Sequence, residues 1–359
     1  MSEMMIARRQ YLELEKLAVG AFAPLTGFMR EDEFNGVVDS MRLPSGALFP
    51  LPVVLDLTPA QAASVRAGRR LTLVYEGTEV GAVDVESVYT CDKPKVAASV
   101  FGTSDPRHPG VAHFFAMGEV MVGGPVLLTR RLPFAFSAFD LTPAETRAYF
   151  AEKGWRSIVG FQTRNVPHRA HEYLLRLALE VADGLFVQPL VGLKKRGDFT
   201  PEAVVTAYGR LIEDFLPSER VLFGVLSTTM RYAGPKEAVF HAIVRRNHGC
   251  THFVVGRDHA GVGSYYGLYE AHDLTRRVTD ELGIEVLRLA GPFYCAVCGG
   301  IATERTCGHR DRVPPVRREI SGTWVRSVLQ DGGECAPELM RPEIVDSVRH
   351  LPLFIEEAE

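Results

Sequence analysis

Short apolar runs broken by Gly, Pro and Asp fill the first part of the chain, and a different rhythm begins after residue 140. Leu51–Leu57 and Arg70–Tyr75 are runs of this kind, and Gly81–Tyr89 alternates apolar and polar positions. A period of two places alternate side chains on opposite faces of a strand. Residues 1 to about 135 carry no strong helical repeat beyond the first turns, so the pattern predicts a β-rich barrel or sandwich-like domain over 1–135. Leu132-Pro133-Phe134 reads as a connector.

The second rhythm opens at Leu141-Thr142-Pro143-Ala144-Glu145. Thr142 suits an N-cap, Pro143 the first helical position, and Glu145 completes a capping box. Strand-like runs recur at 157–161, 185–191, 220–226 and 251–256, each separated by a helical stretch. Alternating strands and helices predict a parallel, doubly wound sheet over 136–292. Ligands of such sheets bind beyond the carboxyl ends of the strands. The unusual polar segments fall at those ends, at 162–171, 192–198, 227–236 and 257–263, and are expected to converge on one side. Residues 293–359 form a third region, cysteine-rich at its start and helical toward its end.

Composition narrows this picture. A chain of 359 residues with 46% hydrophobic and 23% charged residues suits a soluble protein of two or three domains. A net charge of −4 gives no general attraction for nucleic acid, so an anion site has to be local. No apolar run approaches the roughly 20 residues that span a bilayer. Met1-Ser-Glu-Met-Met-Ile-Ala-Arg-Arg lacks the apolar core of a signal peptide. The expectation is a cytoplasmic protein with neither nucleic acid nor membrane as partner.

The strand-to-helix segment Gln162-Thr163-Arg164-Asn165-Val166-Pro167-His168-Arg169-Ala170-His171 is the richest in chemistry. Unpaired N–H groups and the positive end of the helix dipole favour an anion there. On a helix, His168 and His171 would share a face. Interleaved Arg164 and Arg169 repel a metal and attract an oxyanion, so the segment reads as a phosphate site. Gly256-Arg257-Asp258-His259-Ala260-Gly261-Val262-Gly263 is a glycine-containing turn whose backbone can approach a ligand. Its bland counterpart is a tight turn with an Arg257–Asp258 surface ion pair. Arg231, in Met230-Arg231-Tyr232-Ala233-Gly234-Pro235-Lys236-Glu237-Ala238, is either a ligand group or an exposed loop arginine. Gly192-Leu193-Lys194-Lys195-Arg196-Gly197-Asp198 has the look of solvated surface. Ser321 or Thr323 would cap a helix that carries Arg326, itself a candidate phosphate contact.

Six cysteines stand at 91, 250, 295, 298, 307 and 335. The clustering of three of them suits a metal site in a reducing compartment better than a disulfide framework. Cys295, Cys298, Cys307 and His309 make a Cys₃His set that fills four tetrahedral positions, as a structural zinc site requires.

Taken together, these motifs resemble the ATP sulfurylase (sulfate adenylyltransferase) family. Gln162–Asn165 with His168-Arg169-Ala170-His171, Met230–Ala238 and Gly256–Gly261 carry the resemblance. So do Ala21–Met29, His108–Ala112 and Ile320–Thr323, so that it extends over essentially the whole chain. It implies a PUA-like β domain followed by a nucleotidyltransferase α/β domain. It implies the formation of adenosine 5′-phosphosulfate and pyrophosphate from ATP and sulfate, with Mg²⁺ accompanying ATP. Gln162, Arg164 and the Ala260 N–H would meet sulfate, with Arg231 also at a substrate. Gln162, Thr163, Arg164, Asn165, Gly256, Arg257, Asp258 and His259 would surround ATP. Thr163, Arg164 and Asn165 would form the catalytic core, with imidazolium groups of His168 and His171 stabilising the departing pyrophosphate. A zinc-bearing segment and a homodimer are further expectations.

Val166 precedes Pro167 here, whereas the family has proline directly after the Gln-Thr-Arg-Asn tetrad. The rigid φ angle therefore moves by one residue. That shift leaves an alternative, nucleotidyl transfer to another oxyanion. A non-catalytic RNA- or partner-binding protein is the competing class, and the acidic balance argues against it.

Overall fold

The computed structural model describes residues 2–309, 311, 316–320, 322–330 and 335–356. The expected cap Ser321 and the side chain of Thr323 lie outside the described residues. Two compact units are present, one built from Met1–Tyr149, Ser227–Gly249 and Asp258–Val286, the other from Phe150–Leu226, Cys250–Arg257 and Leu287–Glu359. Among the described residues no helix is long and apolar enough to cross a membrane.

The first unit begins with β1 (Ser2–Met5), α1 (Arg8–Ala18), β2 (Gly27–Phe28), α2 (Glu31–Ser40), β3 (Leu55–Leu57) and α3 (Pro59–Ala62). It continues with β4 (Arg70–Tyr75), β5 (Thr78–Asp84), β6 (Ser87–Thr90), α4 (Lys93–Phe101), α5 (Pro109–Ala116), β7 (Val120–Leu128) and most of α6 (Pro143–Glu152). A seven-stranded sheet runs β1-β4-β5-β7-β2, with β3 and β6 also on β7. The long β7 serves as its spine: Val120–Val122 pair with β3 and β6, and Val126–Leu128 pair with β5.

Two readings of this region change. The alternating run Gly81–Tyr89 is two strands, because the chain leaves β5 after Asp84 and re-enters as β6 at Ser87. Helices are also more prominent than expected. Gln10 through Leu17 of α1 are all buried, and Glu13, Glu15 and Lys16 are ion-paired inside. α1 keeps its apolar positions Tyr11, Leu14 and Leu17 at helical spacing, but those charged positions are buried as well.

In the second unit β8 (Ile158–Phe161), α7 (Arg169–Val181), β9 (Gly184–Val187), α8 (Pro201–Phe215) and β10 (Val221–Phe223) alternate. The first unit then takes α9 (Gly234–Asn247), β11 (His252–Val255) returns to the second, and α10 (Glu270–Arg277) and α11 (Thr279–Leu282) belong to the first. β12 (Glu285–Arg288) completes a sheet ordered β10-β9-β8-β11-β12. β8, β9, β10 and β11 run parallel. The order reverses between β8 and β11, the position at which open α/β sheets bind ligands. One core packs the sheet, α7 and α8, with Leu175, Leu185, Val187, Phe199 and Tyr208 fully buried.

A separate antiparallel ribbon follows, β14 (Gly300–Ala302) and β15 (Arg317–Glu319) flanking β13 (Phe293–Cys295). The helices α12 (Gly322–Gln330) and α13 (Pro342–Val348) end the described chain.

Candidate active site

Backbone bonds fix the loop after β8 on the strand beside it. Gln188 N–H donates to Phe161 O at 2.9 Å, and Leu190 N–H donates to Thr163 O at 2.8 Å. The Asn165 N–H donates to Thr163 Oγ1 at 3.1 Å, closing a tight polar turn. Val166 is fully buried in the core of the unit, so the residue that displaces the proline anchors the loop.

Arg164 and Asn165 are held by groups distant in sequence. Arg164 Nε lies 3.5 Å from Asp198 Oδ2. Asp198 is completely buried and also meets Lys195 Nζ at 3.1 Å and Arg326 Nη1 at 3.7 Å. Arg326 Nη1 donates to Asn165 Oδ1 at 2.9 Å. Gly322, at the start of the helix carrying Arg326, packs closely on Asn165, since an added Cβ would sit 2.9 Å from the Asn165 amide nitrogen and push that side chain aside. Lys194 is buried and donates to Phe199 O at 2.5 Å. Burial pushes its amine down to about 8, with Asp198 opposing and Arg164 adding to the effect. The 192–198 run is therefore inside the fold at its key positions, not solvated surface.

His168 is the N-cap of α7 and not part of its helical face. Its side chain accepts from the His171 N–H at 3.3 Å, and the two rings stack with centroids 3.8 Å apart and planes 10° from parallel. Burial drives His168 well below its ordinary range, and its neighbour ring adds to this. Burial also lowers His171 to about 4, with a hydrogen bond to the Val166 backbone opposing in part. Both shifts favour neutral rings near pH 7. Protonating two stacked rings would place like charges in van der Waals contact.

This burial has a consequence for stability. A histidine of ordinary pKa 6.5 that is held at about 4 when folded, as His171 and His248 are, takes up a proton in the unfolded chain first. Its contribution is complete above the unfolded value and is lost as pH falls through the window from 6.5 to about 4. Between pH 7 and pH 5 each such histidine should cost roughly 2 kcal/mol of stability. Urea midpoints at the two pH values check this, and an unchanged midpoint would contradict it.

Arg257, in the second unit, donates to Glu319 Oε2 at 2.8 Å. Gly256 directly follows β11.

In the first unit, the turn 258–261 places two non-glycine residues in the left-handed region, Asp258 at φ 52° and Ala260 at φ 56°. Such backbone is uncommon outside glycine and marks a conformation imposed by its surroundings. Gly261 leaves room for the Asp258 carboxylate, because a Cβ there would fall 1.8 Å from Asp258 Oδ1 and displace it. Among the described residues no group accepts from the Ala260 N–H, while its carbonyl accepts from Gly234 N–H at 3.3 Å. His259 Nε2 lies 3.2 Å from His241 Nδ1, and His241 Nε2 lies 3.6 Å from the buried Glu237. Glu237 also accepts the Arg231 and Ala233 N–H groups at 2.9 Å each.

Arg231 itself is mostly buried. Its Nη2 donates to Glu13 Oε2 at 2.7 Å, and its guanidinium lies 4.9 Å from the Phe240 ring centroid. His108 caps α5 and reaches Tyr232 O at 3.1 Å, which ties the 108–112 motif to the 230–236 loop. Sequence reading assigned no role to Glu13, Asp198 or His241. Glu13 meets Arg231, and Asp198 meets Arg164 and Arg326, across long stretches of chain that no spacing signals. His241 has Glu237 one helical turn away, and its other partner, His259, comes from a separate segment.

The ligand atoms of Cys295, Cys298, Cys307 and His309 lie within 4.8 Å of one another. Cys298 Sγ is 3.8 Å from Cys307 Sγ and 3.3 Å from His309 Nδ1, and Cys295 Sγ is 3.9 Å from His309 Nδ1. A tetrahedron with bonds of about 2.3 Å has edges of about 3.8 Å, so the set fits a metal of that size. The Cys298 N–H donates to Cys295 Sγ and the His309 N–H to Cys307 Sγ, each at 3.4 Å.

Known proteins match both halves of the chain. A PUA-like domain family matches residues 1–131, and the ATP-sulfurylase family matches residues 137–351. A protein of Hyperthermus butylicus named sulfate adenylyltransferase is 47% identical over 345 residues, covering 96% of this chain and 88% of that one. One of Symbiobacterium thermophilum with the same name is 47% identical over 338 residues, covering 94% and 85%. The structure of a hexameric APS kinase from Thiobacillus denitrificans superposes with a TM-score of 0.76 at 22% identity. It covers 98% of this chain and 63% of that one, and at this identity it speaks for the fold alone. By the extent of the family match and the identity to these relatives, the chain belongs to the ATP-sulfurylase family.

Proposed function

We propose that the protein is a sulfate adenylyltransferase, forming adenosine 5′-phosphosulfate and pyrophosphate from ATP and sulfate. The observation that carries this reading is the near full-length identity to relatives of that name. The cations and amides at the end of β8 support it independently. A sulfate oxygen attacks the α-phosphorus in line, the bond from that phosphorus to the bridging oxygen breaks, and pyrophosphate leaves with the electron pair. No protein nucleophile and no proton transfer is needed, so the residues act by positioning and charge compensation.

Gln162 and Arg164 are assigned to sulfate, and Thr163, Arg164 and Asn165 to the reacting phosphate. The left-handed turn in the first unit is assigned to an anion through the Ala260 N–H, with Gly256, Arg257, Asp258 and His259 assigned to the nucleotide. Arg231 is assigned to a substrate through the loop that Glu13 and Glu237 hold. Mg²⁺ enters as part of the Mg·ATP substrate. His168 and His171 serve as neutral hydrogen-bonding rings at the departing pyrophosphate. His168→Ala and His171→Ala are each expected to lower kcat more than ATP affinity, and a change confined to the KM for ATP would assign them to ground-state binding. Zinc is the metal assigned to the Cys₃His set, since three thiolates and an imidazole suit a borderline-soft ion in a closed site. A homodimer is the proposed assembly.

Pyrophosphate release, measured with sulfate, selenate and a phosphonate as acceptors, tests the function. Sulfate-dependent release is expected, and release that requires a different oxyanion would overturn the choice of acceptor.

A further inference from the structure

Two side chains of the loop after β8 are held by a carboxylate outside the family motifs noted above. Asp198 is completely buried, and within 4 Å it meets Arg164, Lys195 and Arg326. Removing a carboxylate from water is costly unless cations surround it, and here three do. The contact to Arg164 is through Nε, the inner edge of the guanidinium. Arg326, held by the same carboxylate, passes the constraint on to the Asn165 side chain at 2.9 Å. One negative charge against three cations also leaves the cluster positive, as suits a site for a dianion or a polyphosphate.

We propose that Asp198 is a positioning residue for adenylyl transfer, orienting Arg164 directly and Asn165 through Arg326. It touches neither substrate, and it acts by fixing two side chains that do. The inference rests on the assignment of Arg164 and Asn165 to the reacting anions. It also separates orientation from attraction. Loss of the negative charge leaves the cluster more positive, so anion binding survives while alignment in the transition state is lost.

Asp198→Asn keeps the shape and removes the charge. It should lower kcat by about 10- to 100-fold, with the KM for sulfate and for ATP within about threefold of the wild type. In an Arg164→Ala background the same change should lower kcat by less than about threefold more, because its effect passes through the missing guanidinium. Arg326→Gln leaves the carboxylate paired with Arg164 and Lys195 and keeps the test open if Asp198→Asn does not fold. It should lower kcat about tenfold at unchanged KM. Wild-type kcat in either folded variant, or full multiplication of the Asp198→Asn loss in the Arg164→Ala background, would overturn the inference. A wild-type protein without sulfate-dependent turnover would overturn the function and this inference with it. An active wild type with an equally active Asp198→Asn would overturn this inference alone.

Discussion

Arg164→Ala should yield a folded protein that turns over sulfate about 10²–10³-fold more slowly than the wild type. The expectation starts from the backbone: β8 ends at Phe161, and three residues later Arg164 stands before the first turn of α7. Its side chain is only 15% exposed, so its charge acts in a medium less polarisable than water. A charge-assisted contact to an anion is stronger there than at a surface. The fold should survive because Asp198 keeps Lys195 and Arg326 as partners after Arg164 is gone. Steady-state kinetics with sulfate, beside a circular dichroism melt, makes the measurement. Wild-type turnover in a well-folded variant would remove Arg164 from the chemistry. A collapse of the melt would instead show that Asp198 needs all three cations to remain buried.

Four of the five strands of the second sheet were legible because each carries a short apolar run, whereas β12, Glu-Val-Leu-Arg, carries none. The runs read at 157–161, 185–191, 220–226 and 251–256 contain β8, β10 and β11 in full and most of β9. The first unit was harder, and α1 shows why. Glu13, Glu15 and Lys16 are charged, yet each is buried against a partner supplied by another part of the chain or by its neighbour. The same blindness hid Asp198, whose run of charges imitates a solvated loop. Local pattern registers a residue's own polarity, not the partner that makes its burial tolerable. His168 failed differently: its spacing to His171 suits a helical face, but the helix starts one residue later and His168 caps it. The Cys₃His set was legible because all four ligands are close in sequence.

Cys298→Ser should release the metal from the Cys₃His set and loosen the ribbon β13–β14–β15. The core of this ribbon consists of Phe293, Cys295, Ala302 and Cys307, with Val316 against it. Two of those four buried residues, Cys295 and Cys307, belong to the Cys₃His set, and so small an apolar core does not hold three short strands without a staple. Folding of such a segment is coupled to metal binding, so loss of one thiolate costs both. The effect should extend toward the loop after β8. Tyr294 and Ile301 of the ribbon pack with Ile320 and Leu339 against Ala170, in the first turn of α7, and the Arg169 N–H donates to Leu339 O at 2.9 Å. A loosened ribbon therefore weakens the support under the stacked His168–His171 pair, and kcat should fall by a smaller factor than in Arg164→Ala. Elemental analysis should find one zinc per chain in the wild type and in Cys91→Ser, which lies outside the set, and almost none in Cys298→Ser. Hydrogen exchange should rise across residues 293–309 in that variant. A wild-type protein free of metal, or a Cys298→Ser protein that keeps its zinc, would rule the site out.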